Sequence, residues 1–186
     1  MYTSKPIKGN LLIAEPSIIG DISFNRSVVL LAEHTSEGSI GFILNKPFDF
    51  GIRDLLSEIT CDFKVYNGGP VEQDNLYFIH NVPDLIPNSI EISFGVYWGG
   101  DFNIVIGLLN DGTLTEENIR FFLGYSGWHE KQLESELDSN SWIVLDNIYK
   151  DGIISKNDDS FWKEKMLELG DQYSIWSNAP ENPSFN

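Results

Sequence analysis

The shortness of the apolar runs in the first half of the chain limits its possible folds most. Runs of four or five residues at 11–14, 28–32 and 40–44 are broken by glycine, proline and charged residues. Runs of this length, bounded by turn residues, predict buried β-strands. The segment joining the second and third runs contains Gly38, which predicts a β-hairpin. The same reasoning predicts further strands at 64–67, 76–80, 93–98 and 142–145.

Helical spacing and capping residues occur mainly in the second half. Asp101 is a candidate N-cap for a helix, although the dense apolar segment that follows it also fits a strand. Thr115 is a candidate N-cap for another helix, which Gly124 would end. In all, helices are predicted at 52–59, 102–109, 116–123, 130–137 and 160–169. Because strands come first and helices later, the predicted fold class is α+β.

The chain length of 186 residues predicts a single domain over 1–186. Within it, 149–177 is predicted to be a C-terminal extension with one helix. The polar residues around Pro180 and Pro183 predict a flexible tail at 178–186. No run of about 18 uncharged apolar residues occurs, which argues against a membrane span.

Charge and cysteine content indicate which partners and compartment to expect. With 12 Lys and Arg against 28 Asp and Glu, the formal net charge is −16. Such a chain repels DNA and anionic lipid, so direct binding to nucleic acid or to a membrane is not expected. The start of the chain lacks the apolar stretch of a secretory signal, and the single Cys61 cannot form an internal disulfide. A cytoplasmic location is therefore predicted.

The motifs of common cofactor, phosphate and metal sites are missing from the sequence. Neither G-x-x-x-x-G-K-[ST] nor G-x-G-x-x-G occurs, and no HExxH or CxxC spacing is present. No cofactor and no metal are therefore predicted. The segment 124–128 (GYSGW) begins like the nucleophile elbow of hydrolases, but Trp128 stands where that motif needs glycine. A helix end followed by a tight turn explains it better than a nucleophilic Ser126.

His34 and His80 are the candidate catalytic residues. Each ends an apolar run, a position from which a side chain often reaches a cleft. A histidine there can act as an acid, a base or a ligand. The alternative is that both are structural histidines of the sheet.

Two loops are candidates for a ligand or partner surface. Gly68, Gly69 and Pro70 allow close backbone approach and fix the exit of the chain, which suits an anion-binding nest or an ordinary turn. Asn45 and Lys46 offer an amide and a cation after another strand. Since sites are usually built on strand-end loops, the residues expected to converge on one side of the sheet are His34, Asn45, Lys46, Gly68, Gly69, Pro70 and His80.

The motif at 124–128 is predicted to be structural. A junction between two helices would use Gly124 to end the first helix, Gly127 for a tight turn and Trp128 as a buried anchor. Tyr125 and Trp142 complete this structural set, since large aromatic side chains bury much surface and hold elements together.

Several multi-residue blocks occur in a definite order along the chain. They are GNLLIAEP at 9–16, FNRSVV at 24–29, NKP at 45–47, GGPV at 68–71, GYSGW at 124–128, QLE at 132–134 and NSW at 140–142. In this order they resemble the bacterial YqgE/AlgH family, also named UPF0301, over residues 9–148. The resemblance implies an α+β domain with a bifurcated, partly barrel-like β-sheet surrounded by helices. It implies no reaction, because the family is largely uncharacterised and one branch is named as a transcriptional regulator of alginate synthesis.

Three functions fit these observations, and whether the protein is an enzyme stays open. The first is a non-catalytic binding or regulatory module with an unknown protein or small-molecule partner. The second is a hydrolase- or transferase-type enzyme that uses His34 or His80 as a base. The third is a transcriptional regulator that acts indirectly. Convergence of the two histidines with a carboxylate or hydroxyl in one cleft would favour the enzyme.

Overall fold

Ten β-strands form one branched sheet in residues 5–16, 22–156 and 160–179, which are the residues that this computed structural model describes. The strands are β1 (Leu11–Ala14), β2 (Val28–Thr35), β3 (Gly38–Ile43), β4 (Pro47–Gly51), β5 (Lys64–Asn67), β6 (Val71–His80), β7 (Ile90–Ser93), β8 (Val96–Trp98), β9 (Ile119–His129) and β10 (Trp142–Leu145). The sheet path runs β10-β1-β2-β3-β9-β6-β8-β7, and β4 and β5 lie off this path. The predicted β2–β3 hairpin is confirmed. The predicted tail lies outside the described residues from position 180 onward.

β9 is the branch point of the sheet. Near its end it pairs with β3, where Gly41 lies opposite Ser126. Nearer its start it pairs in parallel with β5 and, on its other edge, antiparallel with β6. The sheet is therefore bifurcated, as expected. It is not closed into a barrel, because its path ends at β10 and β7.

Five α-helices flank the sheet in the described ranges: α1 (Ile52–Leu55), α2 (Phe102–Asn110), α3 (Gln132–Asp138), α4 (Phe161–Leu169) and α5 (Asp171–Ser174). The predicted cap of α2 is confirmed, since the Asp101 carboxylate accepts hydrogen bonds from the N–H groups of Asn103 and Ile104 at 3.0 and 3.4 Å. The strand alternative for this segment is wrong. α1 is one turn long, because the chain is already extended at Leu56.

The prediction of a helix over 116–123 is wrong, because the chain enters β9 there. Thr115 does start a turn, in which its Oγ accepts a hydrogen bond from Glu117 N–H at 3.3 Å. From Ile119 onward the chain is extended, buried and paired with β5 and β6. Isoleucine and phenylalanine favour such a strand, so tertiary pairing overrides the capping signal. Gly124 consequently lies inside β9 and does not end a helix.

Side chains of the central strands are buried on both faces of the sheet. One face packs with α4 in a cluster that contains Phe42 and Phe161. The other face packs against α3 through Trp128 and Leu133. A third cluster around Phe78 joins α2 to the β6–β9 part of the sheet. Burial on both faces explains why β1 and the start of β2 are continuous apolar runs instead of alternating ones.

The C-terminal segment packs back onto the start of the sheet. Two 3-10 helices, Lys150–Ser155 and Ile175–Asn178, accompany α4 and α5 in this segment. Trp162 Nε1 donates a hydrogen bond to the carbonyl oxygen of Ala14 in β1 at 2.9 Å. None of the helices in the described residues is long and apolar enough to cross a membrane.

Candidate functional site

Gly68 and Gly69 are buried in the loop that crosses β9, between β5 on one of its edges and β6 on the other. Gly68 N–H donates to Leu123 O at 2.9 Å, and Gly68 O accepts a hydrogen bond from Ser126 Oγ at 3.0 Å. A Cβ atom on Gly69 would clash with the backbone of Tyr125. Close contact between two backbones therefore requires glycine at these positions.

Asn45 and Lys46 bind the backbone of neighbouring loops. Asn45 Oδ1 accepts a hydrogen bond from Val28 N–H at 2.8 Å. Lys46 Nζ donates to Ser23 O at 2.7 Å, and Lys46 O accepts from Asn67 N–H at 2.8 Å. The structure thus brings this loop and the glycine loop together, as the sequence predicted for these two loops.

The structure places His34 and His80 far apart. His34 lies opposite Ser39, which lies opposite Trp128 near the end of β9. His80 lies opposite Ile119 at the start of β9. Positions 119 and 128 are nine residues apart near opposite ends of β9, and an extended strand of that length spans at most about 30 Å. The expectation that both histidines converge with the loops on one side of the sheet is therefore wrong.

Both ring nitrogens of His80 have hydrogen-bond partners inside the protein. Nδ1 accepts from Val82 N–H at 3.3 Å, which assigns the ring proton to Nε2, and Nε2 donates to Gly99 O at 3.2 Å. Burial lowers the pKa of His80, and the bond to Gly99 opposes this effect in part. A fully buried, neutral imidazole with both nitrogens engaged has no lone pair to offer to a substrate.

His34 contacts a hydroxyl group but no carboxylate among the described residues. Its Nδ1 lies 2.8 Å from Oγ of Ser39, which is 6% exposed. An activated serine needs both a base and a group that orients the base. The pair thus holds two of the three parts of a nucleophilic site.

Ser126 and Cys61 do not form nucleophilic sites. Ser126 is fully buried, and its hydroxyl donates to Gly68 as described above. Burial is the main cause that raises the pKa of the Cys61 thiol, so the thiol is protonated at neutral pH. Within the described part of the chain, no three His, Cys, Asp or Glu side chains are grouped to hold a metal ion.

A groove of about 390 Å³ lies where β2, β3 and β9 meet. We name it the Tyr125 groove. It is lined by Glu33, Thr35, Glu37, Gly38, Ser39, Ile40, Val71, Tyr125, Gly127, Trp128 and His129.

The register of the strands explains the Tyr125 groove. Ile40 lies opposite Gly127, and Val71 lies opposite Tyr125, so these four residues share one face of the sheet. Gly127 has no side chain, which leaves a depression between its neighbours. A Cβ atom there would lie 3.2 Å from the Tyr125 ring and 3.5 Å from the Val71 side chain. A single methyl group would thus occupy much of the floor.

The walls of the Tyr125 groove are apolar and aromatic, and one rim is acidic. Ile40, Val71 and Tyr125 supply the walls, and the exposed carboxylates of Glu33 and Glu37 stand at the rim. The lining residues include no Lys or Arg. Small binding sites commonly combine apolar walls with a few polar groups that orient the ligand.

A second cleft, of about 480 Å³, surrounds Arg120. This arginine is 6% exposed, and its guanidinium donates to Leu44 O at 2.8 Å and to Lys156 O at 2.6 Å. The same group stacks over the Tyr66 ring at 4.4 Å. Arg120 therefore ties the C-terminal segment to the sheet.

Sequence reasoning found some of the groove residues and missed others. Tyr125, Gly127 and Trp128 were predicted to be structural, and the structure also places them in the groove lining. Glu33 and Ile40 were missed. Their common face with Gly127 follows only from the β3–β9 pairing, which the predicted helix junction at 124–128 concealed.

The family model described as AlgH-like (DUF179) matches residues 11–174 of this chain. The chain belongs to the AlgH-like family. A UPF0301 protein of Cytophaga hutchinsonii is 44% identical over 181 residues, which cover 96% of this chain and 98% of that protein. A UPF0301 protein of Parabacteroides distasonis is 41% identical over 184 residues, covering 97% and 92% of the two chains. The resemblance inferred from the sequence blocks is confirmed.

Two solved structures of similar proteins share the fold. The AlgH protein of Pseudomonas aeruginosa superimposes with a TM-score of 0.73 at 25% identity, covering 97% of this chain and 98% of that one. Protein DIP2367 of Corynebacterium diphtheriae gives a TM-score of 0.75 at 21% identity, with coverages of 96% and 95%. At such identities the likeness concerns the fold of the AlgH-like family.

Proposed function

We propose that this member of the AlgH-like family is a cytoplasmic, non-catalytic binding or regulatory module. Its Tyr125 groove would hold a small molecule or part of a partner protein. The observation that carries this proposal is the glycine floor at Gly127 between Tyr125 and Ile40, which opens a groove of about 390 Å³ at the β3–β9 pairing. Apolar walls with an acidic rim suit a ligand that has an apolar body and polar or cationic ends.

The arrangement of the polar side chains supports binding over catalysis. His80 and Ser126 use their polar atoms inside the fold, and Asn45 and Lys46 bind backbone groups. The polar atoms of these four side chains therefore serve the fold, which favours a binding role for the groove over a catalytic one.

A hydrolase- or transferase-type enzyme is the second candidate function. The observation that favours it is the 2.8 Å contact between His34 Nδ1 and Ser39 Oγ, one strand position from the groove residue Ile40. A role as an indirect transcriptional regulator agrees with the first proposal, because a net charge of −16 opposes direct contact with DNA.

A thermal-shift screen of metabolites, repeated on two glycine variants, tests the binding proposal. A ligand at 100 times its Kd stabilises the folded state by about 2.7 kcal/mol. We expect the shift to shrink in Gly127→Ala, whose methyl group fills the groove floor. It should persist in Gly107→Ala, whose methyl group meets open space on α2.

Equal ligand shifts in the two variants would place the ligand outside the Tyr125 groove. A screen without any stabilising ligand would contradict the proposal for small molecules. Turnover of an ester or acyl substrate that Ser39→Ala abolishes would instead establish the enzyme.

A further inference from the structure

Among the described residues, no strand pairs with one edge of β6 over part of its length. β8 pairs with β6 only at Ile79 and His80, and the last contact of the ladder is Gly99 N–H to Phe78 O at 3.1 Å. Backbone groups in a strand point alternately to its two edges, so Leu76 presents its N–H and C=O to the same edge as Phe78. No strand lies beside Leu76 on that edge in the described residues.

The chain leaves the strand direction at Gly99 and opens a notch beside this edge. His80 Nε2 binds Gly99 O at 3.2 Å, so that carbonyl is already engaged by a side chain. Gly99 and Gly100 have φ values of +68° and +122°, which turn the chain towards α2. A cavity of about 420 Å³ remains where a longer β8 would have continued. We name it the β6 notch.

The β6 notch has apolar walls on both faces of the sheet. Tyr77 and Trp98 contact Phe42 on one face, with ring centroids 6.0 Å apart in each case. On the other face Phe78 packs against Phe102 at 5.8 Å. All of these except Phe42 line the notch. An extended peptide has side chains that alternate between two faces, so it matches such a site.

The part of the chain that builds the β6 notch is strongly acidic. Residues 65–119 contain no Lys or Arg. They contain eight carboxylates: Glu72, Asp74, Asp84, Glu91, Asp101, Asp111, Glu116 and Glu117. A hydrogen bond from Tyr77 Oη, with a second from Asn75, holds the pKa of Glu72 below its usual value, so this carboxylate, which is bonded to a lining residue of the notch, is ionised.

We propose that the β6 notch binds an extended, basic segment of a partner protein, which adds a strand to the free edge of β6. The segment's backbone pairs with Leu76, beyond the Phe78 carbonyl that Gly99 N–H already occupies. Its apolar side chains point alternately to the two faces of the sheet and contact the two apolar walls of the notch. Its Lys or Arg side chains lie opposite Glu72 and Asp74. A second copy of this chain fits less well, since it would bring a net charge of −16 to an acidic edge. The chain's own residues 180–186 carry Glu181 and no basic residue.

Selection of random twelve-residue peptides on the full-length protein tests this inference. We expect the selected peptides to combine alternating apolar residues with Lys or Arg. Methylation of alternate backbone nitrogens in the best peptide should weaken binding at least tenfold, because it removes the donors that pair with the edge. Amide exchange at Leu76 should slow when the unmethylated peptide binds.

Two matched pairs of variants locate the peptide. Gly99→Asn adds a side chain in the β6 notch, whereas Gly112→Asn adds one elsewhere at a similar φ of +78°, and neither added Cβ meets an atom within 4 Å. We expect at least tenfold weaker binding only in the first. Asp74→Lys should weaken binding more than Asp138→Lys, which changes an exposed residue of α3.

Three outcomes would overturn the proposal. One is a selection that yields no binding peptide. Another is a selected peptide whose affinity is unchanged by backbone methylation or by Gly99→Asn. The third is evidence of another occupant, namely selected peptides that are acidic or competition by a synthetic peptide of residues 180–186.

Discussion

At His80, a buried imidazole makes the stability of the fold depend on pH. Its folded-state pKa is lowered by desolvation, whereas in the unfolded chain it titrates near 6.5. Between these two values the unfolded state binds more protons, so the free energy of unfolding falls as the pH is lowered from about 6.5 towards the folded-state pKa. Three carboxylates, Glu72, Asp111 and Glu164, have lowered pKa values in the folded state. They also reduce the free energy of unfolding as the pH falls, but only below about 4.5.

We expect His80→Gln to flatten the pH dependence of stability between pH 5.5 and 7.5. Glutamine keeps a donor for Gly99 O but does not titrate. Urea unfolding at several pH values measures the change. The same loss of stability towards pH 5.5 in wild type and variant would show that another group causes it.

Glu136 is the acceptor for two buried indoles. Its Oε2 accepts hydrogen bonds from Trp128 Nε1 at 2.9 Å and Trp142 Nε1 at 2.7 Å. Glu136→Ala leaves both N–H groups without this acceptor, at a cost of about 1–3 kcal/mol for each group that stays buried. Urea unfolding should show this loss, and Glu134→Ala, at an exposed position on the same helix, should change stability by less than about 0.5 kcal/mol. Equal losses in the two variants would assign the effect to helix α3 in general.

Among the elements, β9 shows where reasoning from sequence succeeds and where it fails. The β2–β3 hairpin was predictable because two apolar runs flank a short turn at Gly38. The first part of β9 was predicted as a helix over 116–123, because Thr115 resembles a cap and Gly124 resembles a stop. What decides its conformation is pairing with β5 and β6, whose partner residues are 39 or more positions away in the sequence. Local patterns cannot show contacts of that separation.

The same limit applies to the candidate site. The sequence correctly placed the Asn45 and Gly68 loops together, because both follow predicted strands. It placed His80 in the same group by the same rule, although His80 lies at the opposite end of β9 from His34. Which end of a strand meets which loop depends on sheet topology, and no motif in this chain encodes it.

Gly124→Ala tests the close approach between β9 and β6. Gly124 has a φ of +70°, and a Cβ there would lie 2.6 Å from Gly69 O and 2.7 Å from Val71 O. We expect a larger loss of stability than in Gly112→Ala, where φ is +78° and nothing lies within 4 Å. The control carries the strain of the positive φ, about 1–2 kcal/mol, so the difference between the two variants measures the backbone clash. Equal unfolding midpoints would show that β9 shifts freely away from the glycine loop.

For the whole molecule, the charge balance predicts that purified protein does not bind duplex DNA. DNA carries one negative charge per ~1.7 Å, and affinity without sequence specificity depends on Lys and Arg that displace its counterions. This chain has 12 such residues against 28 acids. Fluorescence anisotropy at 50 mM salt with genomic fragments should show no binding at submicromolar protein. Salt-sensitive binding in that range would contradict the prediction and support regulation of transcription by direct contact with DNA.

The position of β9 in the chain has a consequence for how the protein is made. β3, β5 and β6 leave the ribosome before residue 119, yet each pairs with β9. One edge of β1 likewise stays unpaired until β10 has been synthesised, because β10 is its partner on that edge. During synthesis these strands expose unpaired apolar edges for the time needed to translate the intervening residues, and such edges promote aggregation. Nascent chains halted before residue 119 should therefore need chaperones more than chains released after residue 145.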